Sequence, residues 1–107
     1  FGLKVKQDSE GCLQDIHWPS GAFGYFPTYT MGAVAAAQLY AAARRDDPGI
    51  PDAIARGDFS PLMTWLRARV HGQGARLSAR ELLTQVTGEP LNPAIFRDHL
   101  EARYLSS

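Results

Sequence analysis

The sequence predicts an all-α fold, and three observations predict it. The run from Pro27 to Arg45 is apolar nearly all round and rich in alanine, the best helix former. Ser78-Ala79-Arg80-Glu81 has the spacing of a helix capping box, and Asn92-Pro93 stands where another helix would open. No stretch alternates apolar and polar residues as a half-buried strand does. There is no internal repeat and no low-complexity tract.

The elements follow in order. Residues 1–10 begin apolar and turn polar, as the end of one element running into a loop would. Residues 11–26 are mostly irregular, with glycines at 11, 21 and 24 and a proline at 19 to hold a fixed, bent backbone. Leu13 and Ile16 are the expected inward anchors, and the residues from Cys12 to Gln14 could form a short extended piece. Pro27 suits the first helical position, because its missing N–H costs nothing there. The helix it opens should run to about Arg45. Between Tyr29 and Ala43 its polar residues are Thr30 and Gln38. Arg44 and Arg45 suit the negative end of the helix dipole, and Asp46-Asp47-Pro48-Gly49 breaks the pattern.

A short helix is expected from about Pro51 to Arg56. Ser60 and Pro61 read as a cap and a first residue of the next, which should reach about His71. Its stripe is Leu62, Leu66 and Val70 with Trp65 beside it, and Gly72 and Gly74 end it. Ser78 then caps a helix with Leu82, Leu83 and Val86 inward, closed by Gly88. In the last helix Phe96, Leu100 and Tyr104 repeat at helical spacing. These moderate helices offer too little surface to cover the run from Pro27 to Arg45, so one of its apolar faces is expected to stay open. The 107 residues fit one small domain, with an N-terminal segment and loop over 1–26 and helices over 27–107.

Bulk properties exclude some functions. Acidic and basic residues balance at 11 each, so nothing pulls the chain toward nucleic acid or an anionic membrane. Cys12 is the only cysteine and cannot form an internal disulfide, which fits a reducing, cytoplasmic setting. Residues 1–11 lack the apolar core of a signal peptide, and residues 31–43 are too few to span a bilayer. With no initiator Met, Phe1-Gly2-Leu3 reads as a continuation of something upstream.

The residues that carry chemistry concentrate between Gly11 and Gly32. GCLQDIHW, residues 11–18, resembles the Gly-x-x-Gln-Asp-x-His-Trp signature of the carboxypeptidase Taq family of zinc metallocarboxypeptidases. GYFPTYTMG, residues 24–32, is similar to the Gly-Tyr-Phe-Pro-Thr-Tyr-x-x-Gly segment that follows it there. TGEPLNPAIFRDHLEARYL, residues 87–105, resembles that family's C-terminal end. The likeness covers almost the whole chain. The family's His-Glu-x-x-His pair and downstream Glu ligand are absent. The resemblance therefore implies the C-terminal helical portion of a larger, mostly helical zinc metallopeptidase. That enzyme would remove C-terminal residues from peptides and form a homodimer. Its zinc would be held upstream, and this portion would be inactive alone.

It also implies roles. His17 and a tyrosine, Tyr25 or Tyr29, would donate hydrogen bonds to the oxyanion formed at a peptide carbonyl. Tyr25, in the loop, is the favoured of the two. Gln14, Asp15 and Trp18 would line the substrate groove, and Asp15 could also orient His17. The arginine that binds the substrate carboxylate is expected upstream. Each residue has a plainer reading: a loop histidine that ties down backbone, tyrosines as aromatic anchors, and a packed Trp18. The histidines His17, His71 and His99 fall in different elements without i, i+4 spacing, so no metal site is expected within the chain. Ser20-Gly21 lacks the Gly-x-Ser-x-Gly elbow, and nothing pairs Cys12 with His17 as a thiol nucleophile. The alternative function is a small helical interaction module, or a split subunit that docks on a metal-bearing chain.

Overall fold

A computed structural model describes residues 2–105. Among them are five α-helices, three short 3-10 turns and no strand. The helices are α1 (Pro27–Asp46), α2 (Ile50–Ala55), α3 (Ser60–Arg69), α4 (Ala79–Thr87) and α5 (Pro93–Tyr104). The chain divides into two compact units, Phe1–Met31 and Gly32–Ser107, with the boundary inside α1.

In the second unit the core forms where α1 meets the helices after it. Ala42, Ala43, Ile50 and Trp65 are its buried centre, and Leu39, Tyr40, Ile54, Leu62, Leu66, Val70 and Val86 pack around them. The α1 alanines allow this close approach, because a methyl group is all that separates backbone from neighbour. Trp65 is the deepest residue of α3, and its indole Nε1–H donates to Asp46 Oδ2 at 3.0 Å. Burying a large aromatic ring thus needs no unpaired donor.

α1 buries Val34, Gln38 and Ala42, one stripe at i, i+4 and i+8, with Ala43 beside it. Met31, Ala33, Ala36 and Ala41 lie exposed on its other faces. The helix that the sequence marks as apolar all round is therefore covered on one side. Exposed apolar surface beyond a few hundred Å² favours association. The chain alone should self-associate in solution. A clean monomer by sedimentation, with no binding of a dye that reports apolar surface, would contradict this.

The capping chemistry holds at α4 and α5. Ser78 Oγ accepts from Glu81 N–H at 3.3 Å, while Glu81 Oε2 accepts from Ser78 N–H at 2.9 Å. Gly88 ends α4 at φ 95°, a left-handed conformation that a side chain would strain. Asn92 Oδ1 accepts from Ala94 N–H at 3.0 Å, and Pro93 is the first residue of α5.

Other local expectations need correction. Ser60 is not the cap of α3 but its first residue. The Ser60 N–H is taken by Asp58 Oδ1 at 2.9 Å, because a carboxylate two residues earlier reaches it in a tight turn. α3 stops at Arg69, and His71–Gln73 is a 3-10 turn. Leu100 and Tyr104 of α5 are exposed rather than packed. The short helix begins at Ile50, whose side chain is fully buried, rather than at Pro51.

Three carboxyls in this unit sit below their usual range. The Trp65 indole N–H does this to Asp46, the Ser60 backbone N–H to Asp58, and the Ser78 hydroxyl to Glu81. A depressed folded value means the unfolded chain takes up protons first as pH falls. The contribution is then complete above the ordinary carboxyl range of about 4 and is lost as pH drops through the lowered values. Thermal stability should be flat near neutral pH and fall in acid. A midpoint that rises on acidification would refute this assignment.

Candidate active-site loop

The first unit carries the signature residues, and Asp15 organises them. Its Oδ2 accepts from the Trp18 backbone N–H at 3.0 Å, and its Oδ1 accepts from the His17 backbone N–H at 3.2 Å. These are the bonds by which an aspartate builds its own turn. The His17 carbonyl closes the next turn, accepting from Ala22 N–H at 2.8 Å and from the Ser20 hydroxyl at 2.8 Å. Gly24 then takes φ +71°, which lets the chain reverse just before Tyr25. The Tyr25 carbonyl accepts from the Thr28 hydroxyl at 2.6 Å, leading into α1.

Hydrogen bonds, rather than burial, hold this loop. Cys12–Gln14 is a 3-10 turn and not an extended piece. Leu13 and Ile16 are 71% and 75% exposed, so neither is an inward anchor within this chain. The carboxylate fixes the backbone locally, and both side chains are left pointing outward.

The same carboxylate reaches the imidazole. His17 Nδ1 lies 2.7 Å from Asp15 Oδ1, and His17 Nε2 lies 3.4 Å from the Tyr29 hydroxyl. Carboxylate, imidazole and phenol thus form one line. Three aromatic rings surround the imidazole. Tyr25 stacks on it at 5.7 Å between centroids, while Phe26 and Tyr29 meet it edge-on at 5.2 and 5.9 Å. Tyr25 and Tyr29 meet edge-to-face at 5.5 Å. The Trp18 N–H, foremost, and then the His17 ring hold the Asp15 carboxyl below its usual range, so it is an acceptor at neutral pH. Partial desolvation, and after it the Tyr25 phenol, hold Tyr29 above the usual tyrosine range, so it keeps its proton.

The residues expected in the site do not all meet. His17, Tyr25, Tyr29 and Asp15 do. Gln14 turns its amide away and donates to the Ser9 carbonyl at 2.6 Å. Trp18 packs edge-on against Phe23 at 5.4 Å and leaves most of its indole exposed. Phe26 belongs to the ring cluster and was missed, because an apolar residue in a Tyr-Phe-Pro run carries no chemical signal of its own.

The carboxypeptidase Taq (M32) metallopeptidase model matches residues 1–104. The chain belongs to that family. The M32 likeness extends to full-length relatives. The chain is 42% identical over 104 residues to thermostable carboxypeptidase 1 of Thermus thermophilus, covering 97% of this chain and 20% of that protein. It is 39% identical over 105 residues to the Pyrococcus furiosus protein of the same name, covering 98% and 21%. Among solved structures, Trypanosoma cruzi metallocarboxypeptidase 1 superposes with a TM-score of 0.92 at 45% identity, covering 99% of this chain and 23% of that one. The chain therefore spans about a fifth of the length of the curated M32 relatives it matches. The all-α architecture is that of a helical portion of the M32 fold.

Metal chemistry does not fit the residues at hand. Among the described residues no group of three or more His, Cys, Asp or Glu could hold a metal ion. A zinc centre takes at least three such ligands. His17 has one ring nitrogen on Asp15 and the other on a phenol, and His71 and His99 lie in other elements. Among the described residues no helix is long and apolar enough to cross a membrane.

Proposed function

We propose that this chain works as one wall of the active-site cleft of a zinc-dependent metallocarboxypeptidase that removes single residues from peptide C-termini. The observation that carries the reading is the line from Asp15 through His17 to Tyr29, roofed by Tyr25 and built from the family's own signature residues. The zinc implied by the resemblance would be held by residues other than these.

What the cluster can do follows from its groups. Attack on a peptide carbonyl leaves charge on its oxygen, and donors preset around that oxygen stabilise the charge without reorganising. The Tyr25 and Tyr29 hydroxyls are neutral donors, and the imidazole donates from Nε2 once that atom carries a proton. The aromatic rings hold all three in place and reduce the water around them. Trp18, with its exposed indole, is assigned to the substrate groove, whereas Gln14 spends its amide on the Ser9 carbonyl and is not. A cytoplasmic setting agrees with the lone Cys12, which is exposed and unpaired.

One observation separates this reading from the interaction-module alternative, which the open face of α1 favours. A His-Glu-x-x-His in the reading frame upstream of Phe1 would establish the enzyme, while a start codon just before Phe1 would establish the module. After dialysis, the chain by itself should retain no stoichiometric zinc. One tightly held zinc per chain would overturn the placement of the ligands elsewhere.

A further inference from the structure

Asp15 lies two residues from His17, yet its Oδ1 serves both the His17 backbone N–H and the ring Nδ1. The Asp15 carboxylate accepts from two backbone N–H groups, those of His17 and Trp18, and, being ionised, has no proton to donate. The Nδ1 that meets it at 2.7 Å must therefore be the protonated nitrogen. We propose that Asp15 is a positioning residue that holds neutral His17 in the Nδ1–H tautomer and so leaves Nε2 as the acceptor for the Tyr29 hydroxyl proton. This rests on reading His17 as an active-site group.

The consequence is a division of labour the sequence does not show. In this tautomer His17 offers no donor at Nε2, and the Tyr29 O–H is turned toward the ring. Of the two phenols, Tyr25 is then the one whose hydroxyl is not committed to the ring, its polar neighbour being the Tyr29 phenol. When a proton is taken up at Nε2, the ring becomes the donor and Tyr29 the acceptor, which releases the Tyr29 O–H. The direction of the Tyr29 hydroxyl thus follows the proton on Nε2. The titratable groups facing the ring are Asp15 and Tyr25 within its own loop and Tyr29 in the first turn of α1.

Nitrogen-15 NMR of the His17 ring in the 107-residue chain tests this without substrate or metal, so its failure is distinguishable from a failure of the peptidase reading. At a pH where the ring is neutral, Nδ1 should show the shift of a protonated nitrogen and Nε2 that of a bare one. In Asp15→Asn the amide can present either its oxygen or its NH2 to Nδ1. The two shifts should then move toward each other as the second tautomer gains population, while the loop stays formed by the Trp18 amide signal. A wild-type ring protonated on Nε2 overturns the proposal. So do unchanged shifts in a folded Asp15→Asn chain. If that variant opens the loop, the wild-type shifts decide alone: Nδ1 protonated upholds the proposal, and Nε2 protonated ends it.

Discussion

Gln38→Ala is expected to destabilise the chain by about 3–5 kcal/mol, the sum of a lost side-chain volume and orphaned polar groups. Gln38 is 1% exposed in a helix that is otherwise apolar on that stripe. Its Nε2 reaches the Thr87 hydroxyl at 2.8 Å, the Pro90 carbonyl at 3.0 Å and the Glu89 carbonyl at 3.2 Å. Its Oε1 accepts from the Asn92 N–H at 2.9 Å. One side chain therefore fastens the whole turn between α4 and α5 to α1. Removing it strips the Asn92 N–H of its partner, and a buried donor left unmet costs roughly 1–3 kcal/mol by itself. Domains of this size are stable by only about 5–15 kcal/mol, so the variant should sit near the edge of folding. Denaturant titration measures the loss, and hydrogen exchange should place it at the Asn92 amide. A loss below about 1 kcal/mol would mean that water replaces the amide at little cost. Gln38→Glu is the sharper control. It keeps an acceptor for Asn92 but sets a carboxylate against three oxygens, so it should also destabilise.

In a zinc-loaded polypeptide that contains this segment, His17→Ala should lower kcat on the order of 100- to 1,000-fold, or roughly 3–4 kcal/mol. Tyr25→Phe should fall in the same range. Both groups are proposed to meet charge that exists only in the transition state, so kcat suffers more than substrate binding. Tyr25→Phe removes one hydroxyl and keeps the ring that stacks on His17. Tyr29→Phe is the comparison, because the Tyr29 hydroxyl is the one 3.4 Å from His17 Nε2. If Tyr29→Phe gives the larger loss, the relay through His17 matters more than a direct Tyr25 contact. Near-normal kcat in both His17→Ala and Tyr25→Phe, with metal content and fold intact, would reduce the loop to a structural feature.

Much of the fold was legible because its signals are local. Pro27 and Pro93 begin helices, Ser78 and Glu81 cap one another, and Gly88 closes α4, all through contacts within one turn of chain. The α3 start shows the limit of such reading. Ser60 is a good capping residue by type, yet the helix starts on it, Phe59 stands at the cap position, and Asp58 takes the Ser60 N–H. The candidate cluster was legible as a set of residues, because Asp15, His17, Tyr25 and Tyr29 lie within 15 positions of one another in a distinctive motif. Which phenol meets the imidazole was not, since Tyr25 and Tyr29 flank the start of α1 and composition cannot rank them. Leu13 and Ile16 misled for a related reason: an apolar residue signals burial only if something is there to bury it.

The sequence by itself determined the helical class, the helix boundaries to within a residue or two at most ends, and the family to which the chain belongs. Those rest on interactions between residues up to four apart and on a motif of fixed spacing. The tertiary structure alone decided what Gln38 does, because its partners lie 49 to 54 positions away. It alone decided that α1 is covered along one stripe, and that the Tyr29 hydroxyl, twelve positions on, is the one near His17 Nε2. A buried amide in an apolar helix states that partners must exist, since an unmet polar group is costly. Only the folded path of the chain supplies them.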